Sequence, residues 1–124
     1  MLFSYPIEFE IPDSWLREVG CILHKPLRLA YLATSDPEWP TVNISLRQIQ
    51  APMRDPGITG LHQERTISLL GAYLNNTPLP PVEVHKLPDR EYYEVRHGFH
   101  RYYTSVAFGF TSLPVSIRPY FKFT

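Results

Sequence analysis

Gly98-Phe99-His100-Arg101 stands between a run that alternates like a strand, residues 91–96, and a helical stretch from about Phe99 to Phe108 closed by Gly109. The residue types and their order suit anion binding. A glycine just before a helix lets the backbone approach a ligand closely. The first turn of a helix presents N–H groups and a partial positive charge, and phosphate binds well there. His100 and Arg101 fall in that turn, and an arginine can donate paired, charge-assisted hydrogen bonds to a phosphate. On local pattern alone, one glycine followed by an arginine describes an ordinary strand-to-helix turn with a solvated arginine.

The elements that must position this turn are short, because 13 prolines punctuate the chain. Residues 15–20 read as a helix capped by Asp13 or Ser14 and stopped by Gly20. Residues 27–33 read as a strand, 35–38 as a turn, and Val42-Asn43-Ile44-Ser45-Leu46 as a half-buried strand. Residues 51–57 form a rigid, proline-rich loop. Residues 63–74 read as a helix with Ile67, Leu70 and Leu74 at helical spacing, which Gly71 weakens by about 1 kcal/mol relative to alanine. Residues 81–85 and 91–96 flank the turn Pro88-Asp89-Arg90 and form a hairpin. Residues 113–117 make the last strand.

Length and composition bound the rest. The 124 residues fit one domain, and 44% hydrophobic content supplies a core without staples. Twelve basic residues balance twelve acidic ones, so non-specific nucleic-acid binding is not expected without a local basic patch or a partner. A neutral chain tolerates self-association, which leaves a homodimer open. Cys21 is the single cysteine, so no intrachain disulfide forms, and it reads as a small core residue. The start lacks a signal-peptide pattern, and no apolar run is long enough for a membrane helix. The expected location is cytoplasmic. His85, His97 and His100 lack a Cys or Asp at ligand spacing, so side-chain metal binding is not expected.

The wider pattern carries a resemblance. Pro80-Pro81-Val82-Glu83-Val84, then Tyr92-Tyr93-Glu94-Val95-Arg96-His97-Gly98-Phe99-His100-Arg101-Tyr102-Tyr103-Thr104-Ser105, then Leu113-Pro114-Val115-Ser116-Ile117, is similar to the core of the ParB/sulfiredoxin superfamily. Upstream, Val42 to Ile49 and Ala51 to Pro56 resemble that family's first strand and following loop. The resemblance spans roughly residues 41–118. It implies an α+β fold: a small mixed sheet with packed helices. Residues 1–40 would add an N-terminal helix-strand extension packed on the core, and 119–124 a tail. The whole chain looks like a compact, stand-alone ParB-like protein of bacterial type.

The resemblance also implies a ligand. Members of the superfamily bind ATP or CTP at the glycine-arginine turn, which implies triphosphate contacts at Gly98, His100 and Arg101. They use the helix preceding the Pro-Pro strand near the nucleotide, where Arg65, Thr66 and Ser68 are this chain's polar candidates. An ordinary exposed helix face accounts for those three equally well. Arg54, in the loop, is a further candidate beside Asp55. Magnesium would arrive with the nucleotide, since it needs few protein ligands.

The departures from the family narrow the activity. Sulfiredoxins place a reactive cysteine where this chain has Phe99, which removes sulfinic-acid reduction by that thiol. Chromosome-partitioning ParB proteins have Gly-x-Arg-Arg, and here His100 replaces the first arginine. They also carry a helix-turn-helix domain downstream, so a DNA clamp is not expected of this chain. Kinases of this fold use a carboxylate base, for which Glu64, Glu91 and Glu94 are available. The leading expectation is a nucleotide-binding protein, with a phosphotransferase or a nucleoside triphosphate hydrolase as its enzymatic forms. The alternative is a non-catalytic interaction module retaining the fold. A DNA-binding or nuclease role is weaker, given the balanced charge. Whether the chain turns over any substrate is not written in the sequence.

Overall fold

Thirteen prolines keep every strand short in a computed structural model of the chain, which describes residues 1–20, 26–53 and 60–120. The elements follow in order: β1 (Leu2–Phe3), β2 (Phe9–Glu10), α1 (Asp13–Val19), β3 (Thr41–Ser45), a 3-10 turn (Leu46–Gln48), β4 (Ile49–Gln50), α2 (Gln63–Leu74), β5 (Val82–Lys86), β6 (Tyr93–His97), α3 (Phe99–Phe108) and β7 (Ser112–Ile117). Strands β1 and β2 pair antiparallel in a small sheet of their own. Among the described residues, the other five make one mixed sheet in the order β3-β7-β5-β6-β4.

Within that sheet β3 and β7 pair antiparallel, as do β5 and β6, whereas β5 and β7 run parallel. The β5–β6 hairpin expected around Pro88 is present, with a register shift between Glu83 and Val84. Pro114 sits one residue before the parallel pairing with β5 begins at Val115, so its missing N–H costs no rung there. Val82 and Val84 of β5 and Leu113 and Val115 of β7 are wholly buried. Leu70 and Tyr73 of α2 and Tyr102, Tyr103 and Ala107 of α3 close over them. The helices therefore cover one face of the sheet, and α3 begins immediately where β6 ends.

Gly71 has a packing reason. A Cβ there would lie 3.4 Å from Cγ1 of Val19, an ordinary contact distance, so Gly71 lies where α1 packs on α2. The N-terminal hairpin docks through rings. Phe3 stacks on Phe9 at 4.9 Å, and Phe9 meets the edge of Tyr103 at 5.0 Å.

Two expectations are corrected. Residues 27–33 do not form a strand; their only ladder contact is an isolated bridge, Ala33 to Leu79. The reason is burial out of phase with a strand. Ala30 and Tyr31 are neighbours and both buried, while Leu27, Leu29 and Leu32 are exposed. Tyr31 instead stacks on Tyr73 at 5.4 Å, and the Leu29 carbonyl accepts from the N–H groups of Thr111 and Ser112. Nor do Asp13 or Ser14 cap α1. Pro12 occupies the cap, Asp13 is already helical, and its carboxylate lies 2.8 Å from the N-terminal ammonium. Gly20 does end the helix in the left-handed conformation, at φ 69°. Cys21 and Arg54 lie outside the described residues.

Candidate functional site

Helix α3 starts at Phe99 with Gly98 as its N-cap at φ 125° and ψ 30°, a region that favours glycine. The Gly98 carbonyl accepts from the Tyr102 N–H at 2.9 Å and opens the helical ladder. The lack of a side chain also serves the fold. A Cβ on Gly98 would come within 2.8 Å of both γ-carbons of Val82. Close approach at this glycine is thus required by strand β5, independently of any ligand.

Helix α2 begins beside α3. Its N-cap is His62, whose backbone N–H donates to Nε2 of His100 at 2.8 Å. The two helix starts are thereby tied together, and their positive ends converge. His100 is buried and its Nε2 acts as an acceptor, so that atom is not a donor for phosphate. Arg101 is also engaged. Its Nη1 donates to the carbonyls of Pro80 and Pro81, at 2.7 and 3.0 Å, and clips the Pro-Pro segment to the helix start.

These helix starts border a cleft of about 680 Å³. Gly98, His100 and Arg101 line it from α3, and Arg65 and Ser68 from α2. Five of the seven residues expected from the sequence therefore meet at one place. Thr66 does not belong to this wall. It is wholly buried, and its hydroxyl donates to the His62 carbonyl at 2.8 Å, one turn back in the helix. Pro52 and Met53, next to Arg54 in sequence, also line it.

The cleft also takes in Arg96 and His97 from the end of β6, which are not among the residues expected from the sequence. Their signal was position: they immediately precede the glycine. Arg96 also donates to the Pro119 carbonyl at 3.3 Å. Glu64 is the carboxylate in the described lining. Of the other two carboxylates considered, Glu94 sits 3.4 Å from Nε2 of His85 and Glu91 does not border the cleft. The lining is thus rich in cations, with three arginines against one glutamate.

Behind Arg101 lies a buried hydroxyl layer. Tyr31 donates to the same Pro80 carbonyl at 2.7 Å, and the hydroxyls of Tyr73 and Thr104 are 2.7 Å apart. Burial pushes the Tyr73 hydroxyl up to about 12, against the opposing pull of Ser105, Thr104 and the Arg101 charge. Burial and then the proximity of Tyr73 push Tyr31 up as well, again opposed by Arg101. Both phenols stay protonated at neutral pH, and Tyr31 donates to Pro80.

No protein-family model matches the chain, and no curated protein matches it. Solved structures similar in fold include a sulfiredoxin and a ParB. Sulfiredoxin from Arabidopsis thaliana superposes with a TM-score of 0.53 at 22% identity, covering 64% of this chain and 85% of that one. The C-terminally truncated chromosome-partitioning protein ParB from Caulobacter crescentus, complexed with CTP-gamma-S, gives a TM-score of 0.48 at 18% identity. That match covers 66% of this chain and 46% of the ParB chain. With its mixed sheet, covering helices and glycine turn between β6 and α3, the chain has the ParB/sulfiredoxin-like α+β fold.

Proposed function

We propose that the chain binds a nucleotide, with its phosphates in the cleft where α2 and α3 begin. The observation that carries this is the convergence of two helix N-termini, joined by His62 and His100, on a lining that holds Arg65, Arg96 and Arg101. Helix dipoles and guanidinium groups both favour an anion, and a triphosphate is the anion that a cleft of about 680 Å³ has room for along with its nucleoside. Contacts are assigned to Gly98, His100 and Arg101 at the turn through the helix end, and to Arg65 and Ser68 through side chains. Arg54, outside the described residues, belongs to the same proposal. Thr66 has no such role, because its side chain is spent inside α2.

Magnesium fits only as the nucleotide's counterion. Glu64 is a single carboxylate, too few for a protein-held cation site, and magnesium is content with phosphate and water. Phosphoryl transfer is the enzymatic form of the reading, with Glu64, a carboxylate of the lining, as its candidate base.

The test is calorimetric titration with ATP, CTP, GTP and ADP plus magnesium. Wild-type protein binds at least one triphosphate, and Arg65→Glu weakens that binding tenfold or more without changing the melting temperature. No heat with any nucleotide at millimolar concentration refutes the proposal. Phosphate release or transfer that vanishes in Glu64→Gln marks an enzyme.

A second reading has its own support. His100 and Arg101 both have structural tasks, holding α2 and the Pro-Pro segment, so the motif stabilises the fold whatever it binds. An interaction module that keeps the turn for folding alone would show an intact structure and silence in the same titration.

A further inference from the structure

Strand β3 stands at one end of the mixed sheet and pairs with β7 on one side only. Its register shows which backbone groups that pairing uses. Asn43 lies opposite Pro114, which has no N–H to give. The same register carries on to Leu46, whose N–H donates to the Thr111 carbonyl at 3.0 Å. Bonded pairs alternate along an antiparallel ladder, so Val42, Ile44 and Leu46 bond toward β7. Thr41, Asn43 and Ser45 then turn their N–H and carbonyl groups outward, away from β7. The Ser45 carbonyl opens the 3-10 turn that follows. The other outward groups of these three residues have no partner among the described residues.

An exposed edge is normally blunted by charge, proline, a bulge or a covering element. Thr41-Val42-Asn43-Ile44-Ser45 holds no charged residue and no proline, and its register with β7 is unbroken. The opposite edge, β4, is blunted by its length of two residues, and Pro52 soon follows it. Val42 and Asn43 are both exposed.

We infer that β3 is the interface between two copies of this chain, which pair antiparallel about a two-fold axis at Asn43 and join their mixed sheets into one. The strand is complementary to itself in that register. The N–H and carbonyl of Asn43 exchange bonds with those of the partner's Asn43. Each Ser45 N–H meets the partner's Thr41 carbonyl. Val42 falls at a close, non-hydrogen-bonded position beside the partner's Ile44, which covers an exposed apolar side chain. An uncharged strand on a chain of zero net charge brings no repulsion to the pairing. Pairing of one patch with itself closes at two copies. A groove of about 560 Å³ adjoins the strand, where Thr41 and Asn43 line it with the exposed Leu29 and Leu32. It gives the partner apolar surface beyond the strand itself. A standard interface engages about 20–30 residues a side, so this smaller one makes a reversible dimer. Nothing in it depends on the cleft at the helix starts.

Sedimentation velocity of the full chain, from micromolar to millimolar concentration, should show a monomer converting to a dimer. Asn43→Lys and Asn43→Asp, each alone, set like charges across the two-fold and should weaken the dimer roughly tenfold or more. Mixed in equal amounts, the two variants set opposite charges there and should restore association as a heterodimer. Amide hydrogen exchange of the wild type reads the same register without a substitution. The Asn43 and Ser45 N–H groups should slow as concentration rises. Those of Val42 and Ile44, already bonded to β7, should not change.

A wild type that stays monomeric up to millimolar concentration overturns the interface. So does a dimer that both charge variants retain at wild-type strength, or one in which Asn43 and Ser45 exchange as fast as in the monomer. Charge variants that each weaken the dimer but do not recover on mixing overturn the two-fold at Asn43.

Discussion

The His62 backbone N–H and Nε2 of His100 are 2.8 Å apart, and this one bond joins the starts of α2 and α3. An imidazole that accepts at Nε2 carries its proton on Nδ1, so His100 is held as one tautomer. His100→Ala leaves the His62 donor without this acceptor and removes a buried ring. The expected cost is about 2–4 kcal/mol, which lowers Tm by roughly 8–15 °C. Thermal melts of the two proteins check it. An unchanged Tm would mean that the helix starts are held by other contacts.

Gly98→Ala meets two penalties at once. The new Cβ would sit 2.8 Å from both γ-carbons of Val82, and φ 125° is strained for any L-side chain. Loss of about 2–4 kcal/mol is expected. Only the first penalty depends on Val82. In a double-mutant cycle, Val82→Ala should therefore cost less in the Gly98→Ala background than in wild type. Urea denaturation of the four proteins gives the coupling energy, and strict additivity would show that the clash is relieved by a backbone shift.

How much of this was legible depends on whether a signal is local. Helices α2 and α3 occupy the residues that the sequence predicts, because the Ile67-Leu70 spacing and the glycines at 98 and 109 act within a few residues of themselves. Strands β1, β2 and β4 are two residues each, too short for an alternating pattern to declare them. The run from Leu27 to Ala33 misleads for the opposite reason. Apart from Arg28 it is apolar, yet its leucines face outward while Tyr31 turns in to meet Tyr73. At the site, the meeting of Arg65, Ser68 and the glycine turn follows from motif order. That His100 and Arg101 are spent on backbone groups of His62, Pro80 and Pro81 is tertiary information with no trace in the sequence. Val82 as the neighbour that demands Gly98 is of the same kind.

Arg65 and Arg101 should separate binding from stability. Arg65 is exposed on the first turns of α2, and its removal costs the fold little. Arg101 clips two carbonyls of the Pro-Pro segment, and its removal leaves them without their charged donor. Arg101→Ala should lose about 1–3 kcal/mol of stability in addition to nucleotide affinity. Arg65→Ala should lose affinity alone, by roughly five- to tenfold. Melting curves and titrations on the same two variants decide this. Equal melting temperatures would remove the structural role assigned to Arg101.

Tyr102 offers a stabilising change. Its ring is wholly buried, and its hydroxyl has no hydrogen-bond partner among the described residues. Burial raises the hydroxyl's pKa, with Tyr5 and Tyr103 adding to the effect. Removing an unpaired buried hydroxyl while keeping the ring relieves a desolvation cost. Tyr102→Phe should gain about 1 kcal/mol in urea denaturation, and a loss of stability would show that the hydroxyl is satisfied in solution.

Tyr73 predicts how the fold responds to alkali. Its hydroxyl is pushed from the ordinary 10.0 to about 12 by burial. Between those values an unfolded chain releases the proton and the folded chain keeps it. The unfolded state then binds fewer protons, so stability falls as pH rises. The contribution is whole below pH 10 and is lost by about pH 12, to a total of about 2–3 kcal/mol from this group. Tyr31 and Tyr102 are raised by burial too, and they steepen the loss in the same direction. Tyr73→Phe forfeits the hydrogen bond to Thr104 and should start about 1 kcal/mol less stable at neutral pH. It should then decline less steeply than wild type above pH 10, so the two stability curves converge. Urea midpoints measured from pH 8 to 11.5 test this. Parallel curves would show that the Tyr73 hydroxyl ionises in the folded protein as readily as it does in the unfolded chain.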